Sequence, residues 1–458
     1  MDELERMLGA VIGGVRTWEE EWEPFVRHPS LDVAGVRLQE ILAEYAARLR
    51  DNYPFFHPRY AGQMLKPPHP VALAAYAGAM LVNPNNHALD GGPATAAMEK
   101  ECVAAIAAMF GLPKQTLGHL TTSGTIANLE ALWIARELRP AERIVVGANA
   151  HYTHERMAGL LRLELETLPM DRVGRVDLDA LEASLRRGGV GTVILTAGTT
   201  GLGAVDPIAE AVQLACRHGA RVHVDAAYGG FYRILADSNS AGLASEIRSD
   251  LRAISDADSV VVDPHKHGCQ PYGCGCVLFR DPAVGAIYRH DSPYTYFTSD
   301  ELHLGEISLE CSRAGASAGA LWATLQAFPL TPDGLGRILG SCRNAARNWF
   351  ALLQDSDALQ AFVEPALDVV TFFPRGSRSP AALDAASQDL FERAMRDASD
   401  PIFLSVLRVG ARLLPSGLNR DEVGDPVRIL RSVLMKPEHE AWVPRLHARL
   451  EALATGQS

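Results

Sequence analysis

Five short apolar runs rich in β-branched residues, RIVVGAN, GTVILTAG, RVHVDAA, DSVVVDP and GCVLFRD, recur between residues 143 and 281 with helical stretches between them. Runs without polar alternation are what strands look like when both faces of a sheet are covered. Alternating with helices, they predict a mostly parallel, doubly wound α/β core. A chain of 458 residues holds more than one such unit. Pro- and Gly-rich punctuation divides it into an N-terminal helical arm (1–86), a large α/β domain (87–330) and a smaller α+β C-terminal domain (331–458). The arm ends in NYPFFHPRYAGQMLKPPHP, whose prolines forbid a continuous helix.

In an open parallel sheet, ligands bind beyond the carboxyl ends of the strands, so the residues that follow each run carry the chemistry. His151 follows the first run, Thr199 and Thr200 the second, Asp225 closes the third and Lys266 follows the fourth. An imidazole ring, hydroxyls, a carboxylate and an amine thus converge on one rim. Taken singly, each is an ordinary turn, cap or solvated residue. TTSGTIANLEALWIARELR places Ser123, Gly124 and Thr125 before a helix whose apolar positions Ile126, Leu129, Leu132 and Trp133 recur at helical spacing. Such a helix start is either a plain Ser N-cap or an anion cradle. An amine for a Schiff base, a carboxylate for a pyridinium, a ring to hold a plane and an anion site together describe a site for pyridoxal 5'-phosphate.

The runs TTSGTIANLEAL, ANAHYTHERM, AGTTGLGAVDPI, HVDAAYGG, DPHKHG and LECSRAGASAGALW, in that order, resemble the group II pyridoxal-phosphate-dependent amino acid decarboxylases, which have the type I fold of such enzymes. The resemblance spans nearly the whole chain. It implies that Lys266 carries the cofactor, Asp225 pairs with the pyridine nitrogen, His151 stacks on the ring, Thr200 and Ala227 line it, and Ser123, Gly124 and Thr125 hold the phosphate. His265 lies beside the lysine and either binds substrate or shuttles protons. Tyr294 or Tyr296, in RHDSPYTYFTSDELHLG, donates the proton to the product. One departure concerns Asp263, where some relatives carry a neutral hydrogen-bonding residue facing the phosphate. Arg313, in CSRAG, anchors a carboxylate or phosphate or forms a structural ion pair. Asn83, Asn86 and His87 fall in the region that closes over the substrate side chain in relatives, and a homodimer with shared active sites is implied.

The expected activity is α-decarboxylation of an L-amino acid, aromatic (tyrosine-like) or acidic (aspartate or glutamate), to carbon dioxide and a primary amine. The alternatives are an oxidative aldehyde synthase, in which a phenylalanine such as Phe297 replaces the loop tyrosine, another carbon–carbon lyase, or a binding protein that kept the fold. A metal site built from His265, His267, Cys269, Cys274 and Cys276 is disfavoured, since the spacing has no paired Cys-x-x-Cys and Lys266 would repel a dication.

Charge and termini narrow the setting. With 43 basic and 55 acidic residues the net charge is −12, against non-specific nucleic-acid or anionic-membrane binding. MDELERMLGAVIGG lacks the positive start and long apolar run of a secretory signal, and VALAAYAGAMLV is too short to cross a bilayer. Seven cysteines in such a chain predict reduced thiols in a cytoplasm.

Overall fold

A computed structural model describes residues 3–87, 90–238, 242–289, 308–410, 413–414 and 426–456. In chain order its elements begin with α1 (Glu3–Glu19), α2 (Gly35–Leu49), α3 (Pro70–Val82) and α4 (Pro93–Phe110). The central region follows as β1 (Leu117–Thr121), α5 (Gly124–Leu138), β2 (Arg143–Gly147), α6 (Thr153–Leu161), β3 (Leu165–Leu168), α7 (Leu178–Arg186), β4 (Val190–Thr196) and α8 (Ile208–Arg217). It continues through β5 (Arg221–Asp225), α9 (Ser245–Ala253), β6 (Ser259–Val262), β7 (Gly275–Phe279) and α10 (Gly285–Tyr288). The last part comprises α11 (Gly315–Ala327), α12 (Leu335–Asp355), β8 (Leu359–Ala361), β9 (Val369–Pro374), α13 (Pro380–Arg396), β10 (Ser405–Val409), β11 (Val427–Val433) and α14 (His439–Thr455).

Strands β1 to β7 form one sheet in the order β1-β7-β6-β5-β4-β2-β3. All neighbours pair in parallel except β7, which runs against both β6 and β1. The sheet is therefore mostly parallel, as the apolar runs predict, with one strand reversed. Alternation along β6 and β7 sorts side chains between two covered faces. Val261, Val277 and Phe279 pack with Ala127, Ala131 and Ile134 of α5 and Tyr288 of α10. Val260, Val262, Cys276 and Leu278 join the larger core with residues of α4, α8 and α9. Burying both faces removes the polar alternation that a half-exposed strand would show.

The second sheet, in the order β10-β11-β9-β8, is antiparallel throughout. Trp349 and Leu353 of α12, Leu390 of α13 and Val443, Leu446 and Leu450 of α14 cover Val370, Phe372 and Leu430. The proline-rich stretch after α2 is irregular, as its prolines require, and joins this unit. Ala61 N–H donates to Phe403 O at 2.9 Å, Val433 N–H to Ala61 O at 2.8 Å, and Lys436 Nζ to Tyr60 O at 2.7 Å. Among the described residues no helix is long and apolar enough to cross a membrane.

Candidate active site

At the carboxyl edge of the large sheet lies a cavity of about 260 Å3. Ser123, Gly124 and Thr125 from the start of α5, His151 after β2, Thr200 after β4, Asp225 and Ala227 at the end of β5, and His265 and Lys266 after β6 all line it. Thus every cofactor-binding candidate read from the sequence falls on one wall or another. Tyr294, Tyr296 and Phe297 lie outside the described residues.

The cradle is the start of α5. Ser123 Oγ accepts from Ile126 N–H at 3.3 Å and caps the helix, while the first amides of α5 have no acceptor within it. Close approach is possible because glycines stand where side chains would collide. A Cβ on Gly275, at the start of β7, would meet the Ser123 carbonyl carbon at 2.7 Å, and one on Gly124 would meet Asp263 Oδ2 at 2.6 Å. The face that α5 buries differs from the expected one. It is led by Ala127, Asn128, Ala131, Ile134 and Ala135, with Leu132, while Ile126, Leu129 and Trp133 are only half-buried. Small residues let the helix lie close on the strands, so volume rather than hydrophobicity decides which side faces inward.

Asp225 is the most constrained group. Its Oδ2 accepts from His154 Nε2 at 2.9 Å and Asn128 Nδ2 at 3.3 Å, and its Oδ1 accepts from Ala227 N–H at 3.1 Å. Burial pushes this carboxyl up, but the hydrogen bond and charge of His154, followed by Lys266, overcome it and hold Asp225 well below the usual carboxylate range. His151 is anchored by Thr153 N–H, which donates to its Nδ1 at 3.2 Å. Burial lowers the pKa of His151, against the opposing charge of Asp225. Burial also lowers that of His265, whose Nδ1 lies 2.7 Å from Cys274 O.

Lys266 sits in the connection from β6 to the reversed β7. Its Nζ is 3.0 Å from Asp263 Oδ2, and His265 Nε2 is 3.5 Å from the same oxygen. Asp263 therefore neutralises the lysine and lies directly under the anion cradle. Its Oδ1 is buried without a partner.

Three expected substrate-side residues are placed elsewhere. Asn86 is buried, donates through Nδ2 to Glu99 Oε2 at 2.7 Å and accepts from Thr95 Oγ1 at 2.6 Å. Asn83 ends α3 in the left-handed region at φ 54°. Neither these two nor His87 lines the cavity. Arg313 resolves to the structural alternative. Its Nη1 pairs with Glu99 Oε1 at 2.6 Å and donates to Leu120 O at 2.7 Å, and its Nη2 donates to Asn86 O at 2.8 Å.

Two residues of the disfavoured metal set are engaged elsewhere. His267 Nε2 is 3.2 Å from Asp368 Oδ2, and Lys66 Nζ is 3.5 Å from Cys269 Sγ. Among the described residues no three His, Cys, Asp or Glu side chains gather as a metal-ligand set.

Asn128, His154 and Arg431 are absent from the sequence reading. Asn128 follows the cradle by one helical turn, and His154 follows His151 by three residues, which are the spacings that would have pointed to them. Arg431 reaches across from β11, buried, and donates through Nε to Gly201 O at 3.1 Å, one residue past Thr200. Its Nη2 has no partner.

Amine, carboxylate, ring and anion cradle fit pyridoxal phosphate, and similarity to known proteins agrees. The model of the pyridoxal-dependent decarboxylase conserved domain matches residues 37–374. The probable L-tyrosine/L-aspartate decarboxylase of Methanocella arvoryzae is 32% identical over 342 residues, covering 74% of this chain and 85% of its own. The L-tyrosine decarboxylase of Enterococcus faecium is 29% identical over 412 residues, covering 69% and 67%. The crystal structure of mouse CSAD superposes with a TM-score of 0.78 at 22% identity, over 99% of this chain and 93% of the mouse chain, and so shares the fold. The chain belongs to the pyridoxal-dependent decarboxylase family.

Proposed function

We propose that the chain is an L-amino acid α-decarboxylase, acting as a homodimer on an aromatic or acidic substrate. The single observation that carries this reading is the convergence of Lys266, the three-fold-held Asp225 and the α5 start on one cavity. The named activities of the Methanocella and Enterococcus relatives support the substrate class.

Bound pyridoxal phosphate supplies an electron sink conjugated with the substrate's amine, so that the carboxylate's bonding electrons have somewhere to go as carbon dioxide leaves. Lys266 would hold the cofactor through its amine. Asp225, kept ionised, accepts the ring N–H and keeps the sink charged. The α5 amides take the phosphate, aided by the helix dipole. His151 and Ala227, both lining the cavity, would hold the ring between them and so orient the bond to be broken. His265, whose Nε2 shares Asp263 Oδ2 with the Lys266 amine, assists substrate binding or proton movement there. Arg431, buried behind the cavity, braces the turn that follows Thr200 through Gly201 O. The donor of the last proton is Tyr294 or Tyr296. A reducing compartment such as the cytoplasm is supported by the cysteines, all seven of which are unpaired among the described residues.

The test is to incubate the purified chain and pyridoxal phosphate with each standard amino acid and identify what is released. A primary amine and carbon dioxide from a tyrosine-like or aspartate-like substrate is the expected result. Aldehyde with ammonia and peroxide would replace this reading by an oxidative one. A bound, borohydride-reducible chromophore without turnover of any amino acid would reduce the protein to a binder.

A further inference from the structure

Behind Asp225 lies a chain of buried polar groups that never reaches the cavity wall beyond Asn128. Along β5, His223 and Asp225 point to the same face because strand side chains alternate with period two. That face is covered by α5, which brings Asn128, and β6 sets Ser259 directly beside His223 in register. His223 Nε2 is 2.8 Å from Asn128 Oδ1, and His223 Nδ1 is 2.9 Å from Ser259 Oγ. Ser259, His223, Asn128, Asp225 and His154 are all at most 5% exposed.

The hydrogens in this chain have one consistent arrangement. Asn128 must present its amide N–H to the Asp225 carboxylate, because its carbonyl there would oppose a negative charge. Its Oδ1 therefore faces His223 and needs a donor, which fixes the His223 proton on Nε2. Burial holds His223 down to about 3, so it is neutral and its Nδ1 is bare. Ser259 Oγ–H then donates to Nδ1. Every donor in the chain points toward Asp225.

A carboxylate offers about four acceptor positions. His154 and Asn128 fill both on Oδ2, and Ala227 N–H fills one on Oδ1. Among the described residues one position remains, on a residue that lines the cavity.

We infer that Ser259, His223, Asn128 and His154 are positioning residues that hold Asp225 as a permanently ionised acceptor with a single vacancy, so that the site selects a cofactor ring bringing one N–H donor. This deepens the proposed function and rests on its assignment of Asp225 to the ring nitrogen.

The test compares binding of two cofactors to the full-length chain freed of its own. One is pyridoxal phosphate. The other is its 1-deaza analogue, in which C–H replaces the ring nitrogen. The ratio of the two Kd values cancels general damage to the site, since both ligands need the same fold and cradle. Wild-type protein is expected to favour pyridoxal phosphate by at least about tenfold, the usual worth of a charge-assisted hydrogen bond. His154→Leu and His223→Leu should each reduce that preference by about tenfold, and His154→Gln, which restores an N–H donor, should recover most of it. Ser259→Ala, a change too small to threaten folding, should reduce it about threefold and shift the absorption of the bound cofactor in the same direction.

An unchanged ratio in Ser259→Ala together with His154→Leu overturns the inference and leaves the assignment of Asp225 standing. A wild-type protein with no preference at all overturns that assignment as well, so the two failures are distinguishable.

Discussion

At the scale of single residues, Lys266 and Asp263 pair beside the start of α5. Their 3.0 Å ion pair satisfies the lysine, yet the same carboxylate lies beneath the glycine of the anion cradle. A phosphate arriving at the start of α5 thus meets helix amides on one side and a negative charge on the other. Asp263→Asn keeps the shape and removes the charge, so inorganic phosphate should compete with the cofactor about tenfold more strongly than in wild type, measured by displacement of bound pyridoxal phosphate. Equal or weaker competition would mean that Asp263 acts chiefly through Lys266. Lys266→Ala should leave the cradle able to bind the cofactor, abolish the borohydride-fixable linkage and reduce turnover by about three orders of magnitude or more. A reducible linkage in that variant would place the amine elsewhere. His223 adds a pH dependence. Its folded pKa of about 3 lies below the unfolded value of 6.5, so the unfolded chain gains a proton there first as pH falls. Stability associated with this residue is complete above pH 6.5 and declines below it, by up to about 1.4 kcal/mol per pH unit. The check is a selectively labelled His223 imidazole, whose NMR shift should stay flat from pH 8 to 5. A midpoint inside that range would break the hydrogen-bond polarity assigned to it.

The elements show what a sequence can and cannot reveal. Five strands were readable because β2, β4, β5, β6 and β7 are buried on both faces and carry little but β-branched and aliphatic residues. β1 and β3 were not readable, since LGHLT and LETL carry a histidine and a glutamate whose partners come from other parts of the chain. His119 Nε2 is 2.8 Å from Glu130 Oε2, and Glu166 pairs with Arg143 at 2.8 Å. The cavity's strand-end residues were found by one rule about parallel sheets, whereas Arg431 could not be, because it belongs to the other sheet and no local pattern announces that crossing. The reversed β7 was equally hidden, as a buried run has no direction written in it. The placement of Asn86 away from this chain's cavity and the ambiguity of Arg313 share a cause. A polar side chain near a site looks the same in sequence whether it faces ligand or braces a helix. Here Glu99 of α4 holds Leu120 N–H of β1 at 2.9 Å and Arg313 ahead of α11 at 2.6 Å, tying three elements below the cradle. Arg313→Met strands a buried carboxylate, so it should cost about 3–5 kcal/mol in chemical denaturation. Arg313→Met combined with Glu99→Gln should cost clearly less than Arg313→Met alone. A single variant as stable as wild type would remove the brace from the account.

At the scale of the whole molecule, one surface has no partner among the described residues. Helix α2 buries no residue, although its sequence is amphipathic. Leu38, Ile41, Leu42, Tyr45 and Leu49 recur at three- and four-residue intervals and form one apolar stripe, with Leu42 and Tyr45 64% and 61% exposed. Trp22, Phe25 and Val36 are exposed as well. A helix of 15 residues is marginal in water without tertiary support, so something must cover it. The proposed homodimer would supply that cover, since a second copy presents an identical stripe and a two-fold axis would let each α2 meet it. Other surface positions of α2 carry Arg37, Glu40, Glu44 and Arg48, in two exposed pairs that would stay solvated at the rim. Leu42→Glu with Tyr45→Glu puts two like charges at the centre of that contact and as many again from the partner. The variant should sediment as a monomer at concentrations where wild type is a dimer, and its turnover should fall with its association if the two active sites share residues. Retained dimerisation would move the interface to another face, and a monomer with full turnover would show that each active site is complete within one chain.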